Sequence, residues 1–167
     1  MAKQLLDEMT DDQLHAVEAW IKQKSPGTFL ATDDNLMEIV REDQKVLASA
    51  GVTYEQIVDR LNHFVNAFKA KAQEAGPQDD LFLAFRCGYD VDSNYHVSAE
   101  LSLGKEMCPL DDCEGSSVVY RVFNKLTGGE ITFPELMPHL VRDHHFFEGN
   151  VTYRLDPGDA IRVMRLE

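Results

Sequence analysis

The residues whose chemistry stands out are two close pairs, Cys108 with Cys113 and His139 with His144. They run in the order Cys-x4-Cys, a gap of 25 residues, then His-x4-His. Soft thiolates together with imidazoles suit a tetrahedral zinc ion, and both spacings fall within those used by structural sites. Cys108, Cys113, His139 and His144 are therefore the candidate ligands of a structural zinc. Such a site requires the two sulfurs and two ring nitrogens to converge within ~2.0–2.3 Å of one point.

The order resembles a two-Cys two-His zinc finger, although the gap is about twice the ~12 residues usual there. Five residues turn a helix by about 500°, so His139 and His144 converge only where their helix loosens or ends. His145 is an alternative to His144, and Cys87 or His96 to a cysteine. The competing reading makes the cysteines small buried hydrophobes and the histidines hydrogen-bonded packing residues. A catalytic version would be a small metal-dependent hydrolase built on His139, His144 and His145, with Asp143 or Glu148 as ligand or as base for a metal-bound water. The sequence has no HExxH pair, no Walker loop and no dinucleotide fingerprint. Cys108 and Cys113 do not form a CxxC redox pair, and the two acids before Cys113 raise its pKa rather than activate it.

The elements that must position these residues divide at Gly76-Pro77. Thr10-Asp11-Asp12-Gln13 and Thr53-Tyr54-Glu55-Gln56 have the pattern of capping boxes, each opening a helix. A third start lies at Thr32-Asp33-Asp34, with a stop before Gly51. Ile57, Leu61, Phe64, Val65 and Phe68 form one apolar stripe, and Trp20 is expected in the core. Beyond residue 80 the period shortens. Leu81–Arg86, Tyr95–Leu103, Val118–Asn124 and Glu130–Phe133 read as strands, the last two joined by a turn at Gly128-Gly129. Phe133 to Asn150 then reads as a helix opened by Pro134 and stopped at Gly149, seated on the sheet through Leu136, Leu140 and Phe147. Val151–Leu155 is expected extended, and Asp156-Pro157 opens a final helix. The fold class is α+β: an N-terminal bundle of about three helices (1–76), then a four-stranded antiparallel sheet with a packed helix (77–167).

With 29 acidic against 16 basic side chains the formal charge is −13, and the acid is spread through both halves. Such a surface repels phosphate backbones and argues against general binding of nucleic acid or anionic membranes. Gly51-Val52-Thr53 with Ile57, Leu61 and Asn62 does resemble the turn and second helix of a helix-turn-helix. Its outer face, however, offers Tyr54, Glu55, Gln56 and Asp59 with Arg60 alone basic. Three cysteines without a secretory pattern or a membrane-length apolar run imply a cytoplasmic chain.

Residues 124–163 contain NKLTGGEITFPELMPHLVRDHHFFEG and YRLDP. This stretch resembles the C-terminal signature of a family of bacterial proteins of unknown function: a hairpin ending in a Thr-Gly turn, a His-Leu-x-Arg-x-His helix, Phe-Phe-Glu-Gly and Tyr-Arg-x-Asp-Pro. The segment 51–61 is similar as well. The resemblance implies one coherent C-terminal module and carries no mechanism. The expected function is a soluble intracellular binding or regulatory module with a protein partner, stapled by zinc. The alternatives are the hydrolase and a helix-turn-helix regulator.

Overall fold

The computed structural model describes residues 4–75, 87–111 and 115–166. A short 3-10 turn, Leu6–Glu8, precedes α1 (Asp11–Lys24), α2 (Leu36–Ala50) and α3 (Tyr54–Glu74). Four strands follow, β1 (Tyr89–Val91), β2 (Tyr95–Met107), β3 (Gly115–Asn124) and β4 (Glu130–Pro134), then α4 (Met137–His144) and α5 (Pro157–Met164). This is the expected α+β class. The strands form an antiparallel sheet in the order β1-β2-β3-β4.

Local sequence accounts for most helix ends. Both capping boxes form: Thr10 and Gln13 exchange bonds of 2.9 and 3.2 Å, and Thr53 and Gln56 bonds of 2.8 and 3.1 Å. The start of α2 is three residues later than Thr32, because Asn35 caps it by accepting from Glu38 N at 3.2 Å. Gly51 closes it in the left-handed conformation. Asp156 caps α5 by accepting from Asp159 N, with Pro157 in the first turn.

Three expectations are corrected. The helix of residues 133–150 is shorter than its histidine-rich sequence suggested: Phe133 and Pro134 finish β4, and the helix spans Met137–His144. Pro138 lies in its first turn, where a missing N–H costs nothing. Residues 151–153 form a bend and a turn, and 154–155 have no regular structure, where a strand was expected. Trp20 is not in the core; it is 52% exposed, and its indole Nε1 donates to Pro109 O at 3.1 Å. The strand expected at 81–86 lies outside the described residues.

Two apolar clusters fill the interior. In the larger one, Ile57, Leu61, Phe64 and Phe68 of α3 pack on Val97, Tyr120, Val122 and Phe133 of the sheet. Full burial of a side chain the size of Phe64 contributes about 1.5–3 kcal/mol. The smaller cluster joins Leu6, Leu14, Ile21, Phe29, Leu30, Leu36 and Val40 to Cys108, Leu136, Leu140 and Phe146. Helix α4 is wedged between them. Met137 and Val141 belong to the sheet-side cluster, whereas Leu136 and Leu140 face the N-terminal helices, which corrects their expected seat on the sheet. Among the described residues no helix is long and apolar enough to cross a membrane.

Candidate metal centre

Strand β2 pairs with β3 along most of its length, with a register shift between Leu101 and Glu106. Past the shift it delivers Cys108 into the smaller core, where the residue is fully buried. Trp20 holds the following loop by the Pro109 carbonyl, and Asp111 comes three residues after the cysteine. Helix α4 brings the histidines from the other side. It stops at His144 because His145 takes the left-handed conformation (φ 53°) and its N–H closes onto the carbonyls of Leu140 and Val141. The helix ends at the place where convergence of His139 and His144 requires it to end.

Cys108, Asp111, His139 and His144 each place one ligand atom within 4.8 Å of all the others. Asp111 Oδ2 lies 3.1 Å from His144 Nε2, and Asp111 Oδ1 lies 3.4 Å from His139 Nε2. Cys108 Sγ is 3.4 Å from His144 Nε2. The two imidazoles stand edge to face with centroids 5.3 Å apart. Their side chains are 2% and 3% exposed, against 29% for Asp111, so the carboxylate is the side of the cluster that solvent reaches. This group can hold a metal ion.

The outer contacts orient both rings. His144 Nδ1 faces the Gln4 carbonyl at 3.2 Å, and since a carbonyl only accepts, Nδ1 carries the proton. His139 Nδ1 lies 3.1 Å from Asp143 Oδ2, one helical turn on, at ion-pair distance but without hydrogen-bond geometry. His144 thus turns its Nε2 toward Asp111 and Cys108, and His139 turns its Nε2 toward Asp111. Such partners on the far nitrogen fix the tautomer of metal-binding histidines. Burial pushes the Cys108 thiol up to about 12, with the Asp111 carboxylate adding to the shift, so the sulfur stays protonated unless a cation replaces its proton.

The other described sequence candidates lie outside this cluster. Cys113 lies outside the described residues, and Asp111 stands where a fourth ligand was expected. His145 turns away, stacking on Tyr54 at 3.8 Å and placing Nδ1 2.7 Å from Asp7 Oδ1, so it neither replaces His144 nor joins a three-histidine site. Cys87 is exposed, and its carbonyl lies 2.7 Å from His96 Nε2, away from the cluster. His63 contacts Asp92 at 2.6 Å on the surface. Asp143 lies beside the His139 ring, its Oδ2 3.1 Å from Nδ1.

Glu148 is 1% exposed, and both its oxygens are buried without a hydrogen-bond partner among the described residues. Burial, reinforced by the charge of Glu106, holds its carboxyl well above the usual range despite nearby Arg154. Arg154 itself binds Asp43 of α2 through two bonds of 2.5 and 3.2 Å and donates to the Glu148 carbonyl at 2.5 Å.

No family model, no curated protein and no solved structure matches this chain.

Sequence reasoning named Cys108, His139 and His144 as ligands and Asp143 as a ligand or base, but gave no role at the site to Asp111 or Gln4. Asp143 was legible as the i+4 partner of His139 on a helix. Asp111 had a weaker signal, a hard ligand three residues past a soft one. Nothing in the sequence pointed to Gln4, whose contribution is a backbone carbonyl 140 residues away.

Proposed function

We propose that this chain is a metal-binding module in which one ion, zinc, is coordinated by Cys108, Asp111, His139 and His144. The reading rests on one observation above all. Cys108, Asp111, His139 and His144 converge, and the Gln4 carbonyl holds His144 so that its Nε2 is turned toward the Asp111 carboxylate and the Cys108 sulfur. With the sulfur ionised, these groups repel unless a cation lies among them. One thiolate with two imidazoles and one carboxylate suits zinc better than magnesium or calcium, which prefer all-oxygen shells.

The ion is structural in this reading. Four protein donors complete a tetrahedron, and they tie the loop after β2 to the end of α4, two segments some 30 residues apart. A zinc-stapled binding or regulatory module follows, in keeping with its net charge of −13.

Metal analysis of the purified protein tests this. One zinc per chain is expected, lost in both Cys108→Ser and His139→Ala with a common fall in thermal stability. Protein produced with ample zinc that carries none ends the proposal.

The hydrolase reading draws on one feature, the solvent-reached Asp111, since a catalytic zinc keeps one position open. It predicts that Asp111→Ala retains zinc and gains a bound water, with turnover of an activated ester by the loaded protein. The helix-turn-helix reading has less support. Arg60, the basic residue on that face, lies over the rings of Phe64 and Tyr95 and 3.7 Å from Asp92. Duplex binding that is unmeasurable even at low salt would retire it.

A further inference from the structure

The segment before α1 is fastened to the same helix end that carries His144. Leu6 is fully buried in the smaller core. The Gln4 carbonyl faces His144 Nδ1 at 3.2 Å, and the Asp7 carboxylate lies 2.7 Å from His145 Nδ1. Arg41 of α2 clamps the segment from the opposite side, donating to Asp7 O at 2.9 Å and to Met9 O at 2.8 Å. A strap of six residues is thus held against two adjacent histidines, one of them a ligand of the proposed centre.

We infer that residues 4–9 form a latch coupled to the metal: docked on α4 when the centre is loaded and loosened when it is empty. This rests on the metal-binding reading above. The coupling runs through a single imidazole. A cation on Nε2 draws electron density from the ring and makes Nδ1–H a stronger donor to the Gln4 carbonyl. In the other direction, that carbonyl fixes the ring and raises the basicity of Nε2. By linkage, whatever factor the docked strap adds to metal affinity, the metal returns to the docking equilibrium. Without the cation, the lone pair of His144 faces the Asp111 carboxylate, and turning the ring to relieve that repulsion breaks the bond to Gln4. The centre thereby controls whether an N-terminal segment with an apolar anchor, Leu6, is held or offered to a protein partner.

Two measurements on the full-length chain decide it. The first is amide hydrogen exchange with and without added zinc, read at Glu8 and Met9, whose N–H groups bond to Leu5 O and Leu6 O within the strap. Exchange there should slow roughly tenfold in zinc, the lower end of what outer partners contribute to metal sites. The second is zinc affinity by chelator competition for Arg41→Met, which removes the clamp and leaves all four ligands in place. It should weaken roughly tenfold, with a circular dichroism spectrum like that of the parent protein. The exchange readout needs no variant, so a misfolded Arg41→Met does not remove the test. If the protein takes up zinc but either the exchange rates or the affinity of folded Arg41→Met are unchanged, the latch is overturned and the metal centre stands. If the parent protein takes up no zinc, the metal reading falls first and the latch with it.

Discussion

His139 and His144 meet edge to face, their rings 5.3 Å apart, because the helix carrying both stops at the second. On a continuing helix five residues would leave the side chains about 140° apart around the axis. The left-handed turn at His145 releases the last residue of α4 from that constraint, and the Gln4 carbonyl sets the ring that is released. The same turn sends His145 toward Tyr54 and Asp7, so two adjacent histidines have separate tasks.

Removal of the ion should be visible as lost stability. With free zinc a hundredfold above its dissociation constant, binding to the folded state alone contributes about 2.7 kcal/mol. For a chain of this size that corresponds to a melting temperature lower by roughly 5–10 °C after chelation. Thermal scans with zinc and with a chelator should coincide for Cys108→Ser and diverge for the parent protein. Coincident scans for the parent would contradict the staple.

Glu148 predicts a pH dependence of its own. Its folded pKa is raised, by burial first and then by Glu106, so the native state holds a proton that the unfolded state releases at lower pH. Its stabilising proton is therefore fully present below the unfolded carboxyl value of about 4.3, and stability declines as pH rises from there toward the folded pKa. Glu148→Gln removes this titration. Urea denaturation should show the variant close to the parent at pH 4 and more stable than it at neutral pH; parallel profiles would refute a protonated Glu148.

Arg154 and Asp43 form a buried pair whose members should fail differently alone and together. Burial raises the Asp43 pKa even though Arg154 opposes the shift, which marks how much the carboxylate depends on that guanidinium. Arg154→Met leaves Asp43 uncompensated and also removes the donor to the Glu148 carbonyl. A loss of about 3–5 kcal/mol is expected in chemical denaturation, with much of it recovered when Asp43→Leu is added. A double variant no better than the single would show that the guanidinium acts mainly through the Glu148 carbonyl.

Much of this was legible in advance, for physical reasons that differ by element. Thr10 with Gln13 and Thr53 with Gln56 declare helix starts because the partners are three residues apart and need nothing else. The glycine pair after Thr127 announced its hairpin, although Gly128 alone has positive φ. Trp20 was misjudged because helical spacing cannot tell a core face from one that meets a loop; its partner, the Pro109 carbonyl, is 89 residues distant. Cys108, His139 and His144, members of the cluster that could hold a metal, were legible as donor types at plausible spacings. Asp111 was hidden by its abundance, one acid among 29, and Gln4 by acting through its backbone.

Gly149 offers the sharpest test of packing next to the centre. The sequence suggests a helix stop, yet α4 ends five residues earlier, so another reason must keep glycine there. A Cβ at Gly149 would lie 2.2 Å from Asp34 Oδ2 and 2.8 Å from Leu30 Cδ2. That Asp34 oxygen already accepts from Ala31 N at 2.7 Å and Asn150 N at 2.8 Å, while Oδ1 accepts from Asn150 Nδ2 at 2.6 Å. Burial opposes the charge on Asp34, but these bonds hold its carboxyl below the usual range and tie the loop after α1 to the segment after α4. Gly149→Ala must push this carboxylate off its donors, and overpacking of this kind costs about 1–3 kcal/mol before any lost hydrogen bond is counted. Gly128→Ala is the control: nothing lies within 4 Å of its Cβ, but φ is 74°, so its cost is backbone strain of about 1 kcal/mol. Denaturation should rank Gly149→Ala as the more damaging, with zinc stoichiometry intact in both. Equal losses would mean that the Asp34 loop yields freely and does not brace the segment that leaves the metal centre.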